Sequence, residues 1–132
     1  MALGDELKLT DEQIAGYYRD FWARTISDAD FSKSDIEFAS LQIDPKDIEG
    51  KEVLDAGCGI GSWAIAMARQ GASTVTAVDL SSEAIELARN ASVHAGVSLN
   101  LRSGDIMTLD EFADGSFDTI VSIEAVHCTP DP

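Results

Sequence analysis

Basic residues and cysteines are both scarce in this chain. Nine Lys and Arg stand against 24 Asp and Glu, which leaves a net charge of −15 over 132 residues. Such a field repels phosphate backbones, so nucleic-acid binding through a broad basic surface is excluded and anionic membranes make poor partners. Cys58 and Cys128 are too few for a disulfide framework or a zinc cluster, so both read as reduced thiols and no metal site is expected. No apolar run approaches the roughly 20 residues of a membrane span. The first residues, MALGDELKLTDEQ, lack the basic stretch and apolar run of a secretory leader. The expectation is a cytoplasmic protein. The acidic surplus also suits solvation at high salt. With 45% hydrophobic residues the chain has enough apolar material for one folded core.

Repeats and low-complexity segments are absent, and the chain divides near residue 50. Residues 1–50 read as a helical cap. Thr10-Asp11-Glu12-Gln13 has capping-box spacing, and behind it Ile14, Tyr17, Tyr18, Phe21 and Trp22 form one apolar stripe. Ser34-Asp35-Ile36-Glu37 is a second box, opening a short helix with Ile36, Phe38 and Leu41 that Asp44-Pro45 breaks. Residues 51–132 alternate strand and helix. Strands are expected over 52–56, 74–79, 99–102 and 117–123, and helices over 62–70 and from Ser81 to Gly96. The second helix should bury Ala84, Leu87, Ala88, Ala91 and Ala95. A helix before the fourth strand is short or absent, within 109–112. This order predicts a Rossmann-like α/β fold, a parallel sheet of about four strands with helices on both faces, whose ligands bind beyond the carboxyl ends of the strands.

The central motif is Val53-Leu54-Asp55-Ala56-Gly57-Cys58-Gly59-Ile60-Gly61-Ser62, a buried strand running through three alternate glycines into a helix. Glycines permit a tight turn and close approach of backbone to ligand, and the helix start offers unpaired N–H groups. Asp79 follows at the end of the second strand, where a carboxylate can accept both hydroxyl hydrogens of a ribose. It could instead cap the next helix, but Ser81 can do that equally well. Two ligand classes fit a glycine loop plus an acid. A dinucleotide fingerprint needs Gly or Ala where Ser62 stands, counting from Gly57, so NAD is disfavoured. A Walker loop is excluded because no Gly-Lys-Ser/Thr follows.

The pattern Asp55-x-Gly57-x-Gly59-x-Gly61 resembles the first motif of class I S-adenosylmethionine-dependent methyltransferases. Ser103-Gly104-Asp105-Ile106, Asp114-Gly115-Ser116-Phe117-Asp118 and Val126-His127-Cys128-Thr129-Pro130-Asp131-Pro132 look like further motifs of the branch related to ubiquinone and menaquinone C-methyltransferases. The resemblance covers roughly 52–132. It implies S-adenosylmethionine as cofactor, with Gly57, Cys58 and Gly59 lining its methionine portion and Asp55 holding its amino group. It further places Asp79 on the ribose, Leu80 on the adenine face, Asp105 and Ile106 at the adenine edge, and the Ser122 carbonyl by the methionine end. The acceptor would be a small molecule. The family's sheet runs 3-2-1-4-5-7-6, so this core is expected to be incomplete at its C-terminal side. Strand four would then be an edge that a second copy covers in a homodimer.

Several residues carry two readings. His127 could deprotonate an acceptor, or simply shape the loop after strand four, since methyl transfer to a good nucleophile needs mainly alignment. Glu124 could touch substrate or be solvated. Cys58 lies between glycines with no histidine partner nearby, which argues against a nucleophile. His94 reads as surface, Trp63 as helix packing, and Tyr17 or Tyr18 as core or as a lid on the cofactor. Two other functions stay in view: a non-catalytic cofactor-binding module acting through a partner, and an NAD-dependent oxidoreductase.

Overall fold

The computed structural model describes residues 38–123 together with Thr10, Glu12, Gln13 and Tyr17. The β-branched runs form strands and the alanine-rich runs form helices: β1 (Glu52–Ala56), α1 (Ser62–Arg69), β2 (Thr74–Asp79), α2 (Ser82–Ala95), β3 (Asn100–Ser103) and β4 (Thr119–Val121). The sheet is wholly parallel, in the order β3-β2-β1-β4.

That order dictates where the rest of the chain goes. From β1 to β2 to β3 the chain steps in one direction across the sheet, so crossovers of one hand put α1 and α2 on one face. There Val53, Val75 and Ala77 pack with Ala64, Met67 and Ile85. The connection to β4 runs back the other way and must cross the opposite face. It does so as turns: Ile106, Leu109, Phe112 and Phe117 cover Leu54, Ala56 and Val78. Phe112 and Phe117 meet edge to face at 5.1 Å, and Arg102 lies over the Phe112 ring. The direction reverses between β1 and β4, which makes their carboxyl ends the switch point where open α/β sheets bind ligands.

Local signals explain the boundaries. Ser81 caps α2, its Oγ accepting from Ala84 N at 3.1 Å, and Gly96 ends it at φ +70°. Asp44 caps a 3-10 turn over Pro45–Asp47. Upstream, Thr10 N donates to Gln13 Oε1 at 2.9 Å and Gln13 N to Thr10 Oγ1 at 3.2 Å, the reciprocal pair of a capping box. The second box and most of the aromatic stripe lie outside the described residues.

Three expectations need adjustment. β4 has three residues, not seven. Phe117 leaves the ladder to join the loop cluster, and Asp118 exchanges bonds with Glu52, its N donating to Glu52 O and its Oδ2 accepting from Glu52 N. β3 starts one residue later than expected. In α2 the fully buried set is Ala84, Ile85, Ala88, Ala91 and Ser92, so the inward face is rotated from the alanine row and Leu87 and Ala95 sit at its margin. Over 109–112 the chain makes turns, in line with a helix expected there to be short or absent.

Candidate functional site

The glycine loop is tied to β2 rather than hanging free. Gly57 N and Cys58 N both donate to Val78 O, at 2.8 and 2.9 Å, and Gly61 N closes the turn onto Cys58 O at 2.9 Å. Gly57, Gly59 and Gly61 all have left-handed φ, at +81°, +55° and +86°. At Gly61 a side chain is excluded twice over, since a Cβ there would lie 3.0 Å from Ala88 Cβ. The bare glycine lets the start of α1 rest against α2. Gly61 also supplies no side-chain cap, so the positive end of the α1 helix dipole faces the loop.

Two carboxylates occupy this corner. Asp79 ends β2 and bridges two loops: its Oδ2 accepts from Gly59 N at 2.8 Å and its Oδ1 from Ser81 N at 2.9 Å. Its carbonyl accepts from Gly104 N at 2.9 Å. Burial raises its pKa, and the amides of Ser81 and Gly59 work against that rise. Ser81 caps α2, so Asp79 does not. A carboxylate has about four lone-pair directions, and two accepted bonds leave room for two more donors. Asp55 is unlike it. It is 1% exposed, and neither oxygen has a hydrogen-bond partner among the described residues. Burial, and then the neighbouring Asp79, push its pKa up to about 7, opposed only by the Ala64 amide at the start of α1.

Cys58 is buried, its Sγ 3.5 Å from Gly59 O. Burial and the two carboxylates push the thiol far up, which leaves no thiolate for nucleophilic chemistry. Ser122 donates to Ala56 O at 3.0 Å and ties the end of β4 to the end of β1. Asp105 caps its own turn, Oδ1 accepting from Met107 N at 2.8 Å. Ile106 is half-buried in the loop cluster and Leu80 half-buried beside Asp79. His94 is exposed on α2, and the Trp63 ring packs tilted against Phe38 with centroids 5.9 Å apart. His127 and Glu124 lie outside the described residues. A groove of about 550 Å³ between α2 and β3, over Ile85, Leu87 and Leu101, shares no residue with this corner. Among the described residues no cluster of side chains could hold a metal.

With a glycine loop, a helix start and two acids converging at a switch point, the comparison with known proteins is decisive. Residues 53–132 match the family described as methyltransferase domain. The chain belongs to that family. It is 38% identical over 97 residues to a ubiquinone biosynthesis O-methyltransferase of Xanthomonas euvesicatoria, covering 74% of this chain and 39% of that protein. Over 86 residues it is 40% identical to the protein of the same description from Paracidovorax citrulli, covering 64% and 36%. The chain thus spans about two fifths of the length of these relatives. Among solved structures, magnesium protoporphyrin IX methyltransferase from Synechocystis with bound SAM aligns over 92% of this chain and 65% of its own, at TM-score 0.67 and 25% identity.

Two features of this methyltransferase domain escape sequence reasoning. The Val78 carbonyl that receives both loop amides belongs to the backbone, and no side chain signals it. The apolar loop of Leu109, Phe112 and Phe117 sits in an acid-rich stretch without helical or strand periodicity, although its paired phenylalanines were the available hint.

Proposed function

We propose that this chain is the S-adenosylmethionine-binding part of a methyltransferase that acts on a small molecule. The observation that carries the reading is Asp55, a buried carboxylate on β1 with no counter-charge and no close hydrogen-bond donor among the described residues. A buried carboxylate is costly unless paired, and the ligand that suits it brings a cation. An ammonium fits and a pyrophosphate does not. The uncapped start of α1 offers N–H groups to the carboxylate of the same amino-acid moiety, with Gly57, Cys58 and Gly59 lining it. Asp79 has two acceptor directions left for ribose hydroxyls. Leu80 would lie against the adenine, Asp105 and Ile106 at its edge, and the Ser122 carbonyl by the methionine end. Once bound, the cofactor supplies a methyl group made electrophilic by its sulfonium. The chain's part is to fix that group and keep water from it, and His127 is its candidate to take a proton from the acceptor.

Support for a small acceptor comes from the relatives, which are named for ubiquinone biosynthesis, and from a charge of −15 that opposes nucleic acid. No helix among the described residues is long and apolar enough to cross a membrane. A cytoplasmic location and a division into a cap at 1–50 and a core at 51–132 complete the reading. So does a homodimer through β4, which among the described residues pairs with β1 alone and leaves Ile120 64% exposed.

Calorimetry tests this. S-adenosylhomocysteine or S-adenosylmethionine should bind with a Kd in roughly the micromolar range, and Asp79→Ala should weaken binding tenfold or more, since losing a buried acceptor typically costs over about 1 kcal/mol. Binding of NAD with no response to either ligand would refute the reading.

A further inference from the structure

Among the described residues, no counter-charge stands beside Asp55. Its cross-strand neighbours are Ala77 on β2 and Val121 on β4, both buried and apolar. Among the described residues, the titratable groups that bear on it are Asp79 from the end of β2 and Cys58 from the loop. The first turn of α1 (Ser62, Trp63 and Ala64) and β4 (Thr119, Ile120 and Val121) contribute none. Asp79 keeps its own two backbone donors, and its charge adds to the burial that raises the Asp55 pKa. A second carboxyl in the same corner, buried and with only the Ala64 amide at the start of α1 to offset its charge, then has one inexpensive state without ligand, the neutral acid.

We propose that binding of the cofactor is coupled to release of a proton from Asp55, the ligand's ammonium group replacing the proton as the charge that this carboxyl requires. The inference rests on the cofactor reading above. The balance is simple: the O–H bond of the acid breaks, its proton goes to solvent, and the carboxylate and ammonium form an ion pair, with no change of oxidation state. The coupling makes the site respond to pH in a defined direction. Above about pH 7 the acid is already ionised and affinity is independent of this group. Below that, each pH unit costs about tenfold in affinity, because the proton competes with the ligand.

Calorimetry of S-adenosylhomocysteine binding to the full chain, in pairs of buffers that differ in ionisation enthalpy, counts the protons released. We expect about nine tenths of a proton at pH 6 and about one tenth at pH 8, and none at either pH from Asp55→Asn. Binding at pH 6 with the same heat in both buffers overturns the coupling and leaves the cofactor reading standing. Release that persists in Asp55→Asn assigns the proton elsewhere and also overturns it. If neither S-adenosylhomocysteine nor S-adenosylmethionine binds at any pH, the cofactor reading fails and the coupling with it. Should Asp55→Asn bind too weakly to measure, the Asp55 carboxyl carbon can be followed by NMR in the unliganded wild type. A midpoint near 7 supports the proposal, and one below about 5 overturns it.

Discussion

Replacing Gly61 with alanine tests how the glycine loop is built, and a control lies in the same chain. Gly61 has φ +86°, and a Cβ added there would meet Ala88 Cβ at 3.0 Å and Ala88 Cα at 3.6 Å. Two costs follow. An L-residue in the left-handed region costs about 1–2 kcal/mol. The contact adds overpacking, typically about 1–3 kcal/mol. Ala88 Cβ has no torsion with which to move aside, so α2 itself must shift. Gly61→Ala should therefore lose about 3 kcal/mol. Gly96 has φ +70° with nothing within 4 Å of its would-be Cβ, so Gly96→Ala carries the backbone cost alone, about 1 kcal/mol. Urea denaturation of the two variants measures the difference, which is the packing of α1 against α2. If the two midpoints coincide and the slopes match, the close approach of these helices is not what requires glycine at 61.

Asp55→Asn should stabilise the unliganded chain at neutral and higher pH. For the wild type, the carboxyl's favourable state is fully present below its ordinary value of 3.8 and is lost as pH rises through about 7, a penalty of about 4 kcal/mol at most above that pH. Thermal melts from pH 4 to 8 should fall for the wild type and fall less for the variant, and parallel curves would refute this. Ser81→Ala should cost about 1 kcal/mol by loss of the α2 cap while ligand affinity measured by calorimetry stays within about twofold, because the Ser81 amide that holds Asp79 is untouched. Ile120→Glu should convert a dimer to monomer in light scattering at several concentrations. A dimer that tolerates the glutamate joins through another face.

The elements with strong local signals were legible in the sequence. Alternate glycines after an apolar strand place the loop, Ser81 and Gly96 bracket α2, and the strand-helix alternation sets a parallel sheet whose observed order follows the expected one for its four strands. The misreadings come from residues whose pattern was ambiguous. Phe117 extends an apolar run that looks like strand, but the opposite face of the sheet needed covering and the ring went there. The alanines of α2 mark a helix without marking its inward face, because Ala95 pays little for exposure while Ile85 gains much from burial. At the site, the residue types and spacing identified Asp55 and Asp79 as a pair. Their unequal circumstances, one accepting from two close amides and the other with the Ala64 amide alone against its burial, depend on which carbonyls and amides the folded loop turns toward them. No residue type encodes that.

The Val78 carbonyl that takes both Gly57 N and Cys58 N has a consequence for how this domain can vary and be probed. The contact that fastens the ligand loop to β2 is made by an atom common to every amino acid. Any side chain that packs at position 78 preserves it, so the position is free to drift among apolar residues without loosening the loop. Scanning with alanine would report only the packing of the valine and would miss the joint. Exposing the joint calls for chemistry on the main chain, such as an ester in place of the amide at Gly57 or Cys58, which removes one donor and leaves every side chain in place.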